Sequence, residues 1–250
     1  ICMGIKEAEL TKYVANAMLA TKISFINEIA NICDNLEIDI ETIRKGIGSD
    51  SRIGYSFIYP GSGYGGSCFS KDIKAIIHLA KKSGVDPFIL ESVEKRNSIQ
   101  KNIIYKYVMK KFNNNIVDKV IAVWGLSFKP GTDDIRESPA LTTINSLINS
   151  GATVKAYDPA SMNKAREVFP QRWLINNKII FTNDNYSALD GVDALIIMTE
   201  WKMFRNPIIS KMKKNMKKLN IFDGRNQYDP NLMKEEGFYY KGIGRREKIY

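Results

Sequence analysis

Between residues 5 and 45 the chain carries neither Gly nor Pro, and apolar side chains return every three or four positions. Leu10, Tyr13, Val14, Ala17, Met18, Thr21, Phe25, Ile26, Ile29 and Ile32 fall on this period, which predicts a long helix to about residue 36. A shorter helix follows over IDIETIRKGI, then a loop rich in Gly, Ser and Tyr (46–67). Helices are expected from about 70 to 82 and from 87 to 112, with Pro87 suited to the first turn of the latter. The apolar stripe of the first helix is broad enough to serve both its own domain and a partner, so a two-fold homodimer built on it is expected.

After NNNIVDK the period changes. VIAVWGL (120–126) is a β-rich apolar run, followed by a loop and the helical SPALTTINSLINSG. ATVKAYDP, IIFTND, VDALIIMTE and LNIFDGRN read as further strands, separated by helical ASMNKAREVF, helical YSALDG and a Lys-rich helix. Such alternation means a parallel sheet covered by helices. The expected fold is an all-α central domain (1–112), serving dimerisation, followed by an α/β Rossmann-like parallel-sheet domain (113–250).

Composition narrows the chemistry. At 250 residues, 44% hydrophobic and 26% charged, the chain is ordinary globular material. No run approaches the apolar length of a membrane span. The opening ICMGIKEAEL has neither a positive n-region nor an initiator Met, which predicts a segment from within a longer gene product. Three scattered cysteines, Cys2, Cys33 and Cys68, make no disulfide framework and no CxxC metal pair, so a cytoplasmic, reducing home is expected. With His78 the single histidine, a His-based metal centre or a Ser-His-Asp triad is hard to build. The net charge of +10 favours anionic partners. Its densest run, KMKKNMKK (211–218), reads as a solvated helix face, and no helix-turn-helix or RNP-like motif accompanies it, so nucleic acid is the weaker choice.

GSGYGG (61–66) satisfies G-x-G-x-x-G literally. A dinucleotide site needs a preceding buried strand and a βαβ unit. The approach here is SRIGYSFIYP, with Pro60 and mixed polarity, and VDPFILESVEKRN downstream reads as helix where a second strand belongs. The glycines instead fit a backbone that lets a ligand approach closely.

The next residues carry the thiol. Cys68 lies just before a helix, where the helix dipole and Lys71 would both favour a thiolate. The alternative is a buried structural cysteine, which suits Cys33 on its apolar helix face better than Cys68. Lys12 and Asn16 are four apart and share one face of the first helix, where they could donate to a developing oxyanion. A solvated lysine beside a polar amide is the plainer reading, although Asn is mildly unfavourable in mid-helix.

Several stretches in order resemble one family. GYGGSCFSKD resembles the cysteine motif of the UDP-glucose 6-dehydrogenases, within the nucleotide-sugar dehydrogenase family; so do EAELTKYVANAMLATKISFINEIANIC, DSRIGYSF, FKPGTDDIRESP and DGRN. The resemblance covers roughly residues 5 to 240, with Ser70 where the family has Pro. It implies the central helical domain plus the C-terminal UDP-binding domain, without the family's N-terminal NAD-binding domain. The implied chemistry uses NAD as cofactor in two successive hydride transfers that turn the C6 alcohol of UDP-glucose into UDP-glucuronate. Cys68 would form a thiohemiacetal and then a thioester, Lys12 and Asn16 would stabilise the oxyanion, and Asp72 would assist proton transfer and position water.

The family pattern also implies substrate contacts at Lys12, Asn16, Arg52, Tyr59, Gly61, Gly63, Tyr64, Gly65, Phe128, Lys129 and Arg225. It puts cofactor contacts at Lys71 and Arg136, and it implies that Arg52 reaches the neighbouring subunit's nucleotide. A threonine and a glutamate used in family catalysis would lie in the N-terminal domain, so the isolated chain is expected to be inactive. The alternatives are a GDP-mannose or UDP-N-acetylmannosamine dehydrogenase, or a non-catalytic UDP-sugar-binding dimerisation module.

Overall fold

A computed structural model of the chain describes residues 1–246; the expected second region runs on through 247–250, which lie outside the described residues. Its first part is helical: α1 (Ile5–Leu36), α2 (Ile40–Gly48), α3 (Ser67–Lys82), α4 (Phe88–Gln100) and α5 (Ile103–Lys111). The 32-residue α1 is the spine, and α3 and α4 pack along it. Its inward line is small: Ala17, Ala20, Ser24 and Ala30 are buried, which lets neighbouring helices approach closely. Leu10, Val14, Met18, Phe25 and Ile32 of the same predicted stripe are exposed. Periodicity located the helix, but of the larger apolar side chains on that stripe Ile26 is buried in this chain's own core and Ile29 packs partly against it, while these five face outward.

Two boundaries differ from expectation. The helix expected over 87–112 is two helices, broken at Lys101 and Asn102, and Pro87 precedes α4 at its N-cap position instead of sitting in the first turn. At the break the Lys101 ammonium meets Glu137 at 2.7 Å. Helix α3 starts at Ser67, earlier than the expected 70, because Gly66 in the left-handed region (φ +79°) turns the chain there. Cys68 therefore lies inside the first turn.

The second part follows a connection through residues 112–119. It comprises β1 (Val120–Trp124), α6 (Pro139–Asn149), β2 (Thr153–Tyr157), α7 (Met162–Val168), α8 (Gln171–Ile175), β3 (Ile179–Phe181), β4 (Ala194–Ile197), α9 (Lys202–Arg205), α10 (Ile209–Asn215), β5 (Asn220–Asp223), α11 (Pro230–Glu235) and β6 (Tyr239–Gly242). All five strand pairings are parallel, in the order β3-β2-β1-β4-β5-β6. This is the doubly wound order of nucleotide-binding folds. The sixth strand was not expected, since YYKG at a sheet edge has no buried apolar run to announce it. YSALDG forms only a 3₁₀ turn (Ser187–Leu189).

One hydrophobic cluster runs from Ile26, Ile40 and Ile58 of the helical part into Ile121, Val123 and Ile196 of the sheet. A second fills the opposite sheet face, where Trp124 stacks on Phe204 with centroids 5.0 Å apart and donates its indole N–H to the Asn185 carbonyl. Polar ties reinforce the seam. Asp34 of α1 accepts from the Tyr107 hydroxyl and from Lys241 Nζ (2.5 Å), and the Ile40 N–H donates to Gly244 O at 2.8 Å. Among the described residues no helix is long and apolar enough to cross a membrane.

Candidate active site

In a doubly wound sheet, ligands sit outside the carboxyl ends of the strands where the order reverses, here between β1 and β4. Phe128 and Lys129 follow β1, Glu200 follows β4 and Arg225 follows β5. Arg225 is fixed from several sides. Its Nε donates to Met198 O at 2.8 Å, its Nη2 donates to Phe128 O at 2.9 Å, and Glu200 Oε2 lies 3.1 Å from Nε. Its Nη1 stands 3.6 Å from where a Cβ on Gly61 would be, so the guanidinium faces the glycine loop.

At the end of β2 stands Asp158, where a dinucleotide site would keep an acid for the ribose. Here that carboxylate serves the loop after β1. Burial would raise its pKa, but the N–H groups of Leu126, Ala160, Ser127 and Ser161 outweigh it and hold the carboxyl below its ordinary value.

The helical part clamps the glycine loop by its backbone. Gly61 N–H donates to Asn27 Oδ1 and Gly61 O accepts from Gln100 Nε2, both at 2.8 Å. Asn97 accepts from Tyr64 N–H (2.9 Å) and donates to Tyr64 O (3.1 Å), while Ser62 N–H donates to Gly224 O across the seam. Tyr59, Gly61, Gly63, Tyr64 and Arg225 line one cavity of about 290 Å³ with Ile23, Asn27 and Phe57. The Tyr64 hydroxyl donates to Glu94 at 2.8 Å, and burial with that carboxylate pushes the phenol pKa well up, so the ring is part of the helical core. Arg44 stacks on the half-exposed Tyr59 ring, 4.3 Å from its centroid. No strand leads into GSGYGG, in line with its rejection as a dinucleotide fingerprint.

At the end of this loop comes the thiol. Gly66 N–H donates to Arg136 O at 2.8 Å. A Cβ on Gly65 would lie 2.6 Å from Glu137 O and 2.9 Å from Phe128 Cβ, so glycine is what lets the two parts of the chain meet here. Helix α3 then begins, and Cys68 is exposed in its first turn. Asp72, four residues on and thus on the same helix face, is fully buried. Its Oδ2 accepts from Asn16 Nδ2 at 2.6 Å and lies 3.6 Å from Lys12 Nζ, while its Oδ1 is buried without a hydrogen-bond partner. Asp134, and less strongly the charge of Cys68, hold the exposed Arg136 guanidinium above its ordinary pKa.

The structure therefore gathers Lys12, Asn16, Cys68 and Asp72 around one face of α3, with Arg136 beside them. Lys71, on the same helix, and Lys129, in the loop after β1, are exposed. Arg52 is not in this group: 87% exposed, its side chain is held by Asp50 at 2.5 Å on a turn after α2. Burial raises the Cys33 thiol pKa, with Asp34 and Asp39 adding to it, which suits a structural cysteine. Sequence reasoning missed Asn27, Asn97, Gln100 and Glu200. Asn27 and Asn97 carried a signal, an amide in the body of a helix where its alternative hydrogen bonds make it mildly unfavourable; Gln100, a good helix former, carried none. Among the described residues no three His, Cys, Asp or Glu side chains converge as metal ligands.

Fold and site together define a nucleotide-binding-type parallel sheet joined to a helical part that presents a thiol at the seam. The model of the UDP-glucose/GDP-mannose dehydrogenase family matches twice: its central domain at residues 6–99 and its UDP binding domain at 122–230. The chain belongs to this family. It is 45% identical over 245 residues to a UDP-glucose 6-dehydrogenase of Pseudomonas aeruginosa, a match covering 98% of this chain and 54% of the relative. It is 39% identical to the UDP-glucose 6-dehydrogenase TuaD of Bacillus subtilis, covering 97% and 51%. The structure is similar to a UDP-glucose dehydrogenase from Pyrobaculum islandicum, with a TM-score of 0.82 at 31% identity over 97% of this chain and 52% of that one. The chain spans about half the length of the curated relatives it matches.

Proposed function

We propose that this chain is the catalytic-cysteine and UDP-sugar-binding part of an NAD-dependent UDP-glucose 6-dehydrogenase, and that it works as a homodimer. The observation that carries the reading is Cys68 in the first turn of α3, on one face with a buried Asp72 bridged to Asn16 and near Lys12. The names of the relatives supply the substrate class. Arg225 and Lys129 at the strand ends, with the backbone of Tyr59 to Gly65 opposite, suit a diphosphate and its nucleoside.

The chemistry follows from what these groups can do. A Cys68 thiolate adds to the C6 aldehyde of the substrate, and the new C–S bond leaves negative charge on the former carbonyl oxygen. Lys12 keeps N–H donors free, and Asn16 has a second N–H beyond the one given to Asp72, so both can donate to that oxygen. At the thioester stage, Asp72 Oδ1 is the unpartnered carboxylate oxygen that can take a proton from attacking water. The C–S bond then breaks and the carboxylate leaves, restoring the thiol. NAD, when bound, would supply the hydride acceptor for the two oxidations at C6. Lys71 and Arg136, exposed cations flanking the Cys68 turn, are this chain's residues suited to hold its phosphates.

Two features support the homodimer. Leu10, Val14, Met18, Phe25 and Ile32 form an exposed apolar line along α1, of the kind that marks an interface. Arg52, ion-paired with Asp50 on its exposed turn, stays outside its own site, in keeping with a role at the partner's nucleotide.

The test is calorimetry of these 250 residues with UDP-glucose, GDP-mannose and UDP-N-acetylmannosamine, beside an NADH absorbance assay. Binding selective for UDP-glucose, weaker than in an enzyme of the relatives' full length and without NADH production, is expected. Absence of UDP-glucose binding overturns the reading; preference for another sugar nucleotide moves it within the family.

A further inference from the structure

A buried lysine needs a reason. Lys101 caps the C-terminal end of α4 with its side chain only 10% exposed, and its ammonium meets Glu137 Oε2 at 2.7 Å. Burying an ammonium is costly unless it is paired, and this pair spans 36 positions of sequence, from the helical part to the loop after β1. Its surroundings show what it spans. The aliphatic stem of Lys101 supports the glycine loop, since a Cβ on Gly63 would lie 3.4 Å from Lys101 Cγ. Its backbone carbonyl accepts from the buried Thr143 of α6 at 3.4 Å.

Glu137 in turn holds a left-handed backbone (φ +55°), uncommon for a residue with a side chain. Its carbonyl is the oxygen pressed on Gly65, and the neighbouring Arg136 carbonyl accepts from Gly66, the residue that starts the cysteine helix. The Glu137 carboxyl is held below its ordinary pKa chiefly by Lys101.

We propose that Lys101 and Glu137 are positioning residues for the Cys68 nucleophile: their ion pair locks the 136–137 turn against Gly65 and Gly66, and so sets the first turn of α3 relative to the sheet ends. Neither residue touches the reacting atoms. The pair resists the cost of Glu137's left-handed backbone, because a relaxed turn would carry the carboxylate away from an ammonium that has been removed from water. This rests on Cys68 being the nucleophile of the proposed function.

The experiment uses the 250-residue chain in a Cys2→Ser background, since Cys2 is also exposed. The rate of Cys68 alkylation by iodoacetamide is measured at fixed pH, with and without UDP-glucose. Lys101→Met and Glu137→Gln should each slow alkylation at least threefold, because a loosened turn moves the thiol away from the free N–H groups of the helix start and from Arg136. Lys101→Arg, which keeps the charge, should restore the rate to within about twofold of the parent. Ile104→Val, a core substitution on α5, serves as a stability-matched control that lowers the melting temperature without changing the alkylation rate.

Unchanged or faster alkylation in both Lys101→Met and Glu137→Gln overturns the proposal, as does slowing that Lys101→Arg fails to rescue. So does equal slowing in Ile104→Val, which would make the effect one of general stability. If UDP-glucose fails to protect the parent chain, the substrate reading fails while the alkylation rates still decide the positioning claim.

Discussion

Gly65→Ala is the sharpest perturbation of the seam, because only one methyl group is added. That carbon would stand 2.6 Å from Glu137 O, 2.9 Å from Phe128 Cβ and 3.0 Å from Glu137 C. Carbon and oxygen ordinarily meet no closer than about 3.3 Å, so the seam must open by about 0.7 Å. Two of the three obstructing atoms are backbone, which cannot rotate aside. Overpacking of this kind costs about 1–3 kcal/mol, which for a chain of this size lowers the melting temperature by roughly 2–12 °C.

Opening the seam also separates the loop of Gly61 to Gly65 from Arg225 and Lys129 on the sheet side. Loss of one charge-assisted hydrogen bond, about 1.5–3 kcal/mol, weakens UDP-glucose binding by roughly 10- to 100-fold. Calorimetry and a thermal melt on the same preparation read both effects. Gly46→Ala is the control: a Cβ there meets nothing within 4 Å and the site is inside α2. It should raise stability by up to about 1 kcal/mol and leave binding unchanged. A Gly65→Ala chain that melts and binds as the parent does would refute the packing argument.

Three further outcomes are expected. In an enzyme of the relatives' full length, Cys68→Ser should stop release of the acid while leaving the UDP-glucose dissociation constant within about twofold, because the hydroxyl is far less acidic and less nucleophilic; turnover at the parent rate would make Cys68 structural. Asp158 has a folded pKa below its unfolded value, so its contribution is present above about pH 4 and is lost as pH falls through the folded pKa. Asp158→Asn should therefore lower the melting temperature at pH 7 and flatten the acid limb of the stability curve, and an unchanged acid limb would count against this account. Met18→Glu with Phe25→Glu places charge on the exposed α1 line and should convert a dimer of twice 28.4 kDa into monomer by light scattering; a monomeric parent removes the dimer proposal.

Wherever a local rule has a single solution, the sequence by itself determined the outcome. The 3.6-residue period without Gly or Pro made α1 a helix, and apolar runs between helical patterns made the parallel strands, because burial on both sheet faces demands them. The failure of GSGYGG as a fingerprint was legible too, since no strand could precede it. Tertiary structure decided the rest, where several local solutions were equally good. Which line of α1 faces inward depended on how closely α3 and α4 approach, and small residues won over Met18 and Phe25. The break after Gln100 falls where a lysine meets a carboxylate 36 residues away, and the start of α3 at Ser67 follows a glycine pressed under Phe128. Asn16 and Asp72 are 56 positions apart, and no periodicity in either segment says that they share a hydrogen bond. Their contact is a property of two helices packed together, as is the carboxylate oxygen of Asp72 left buried without a partner.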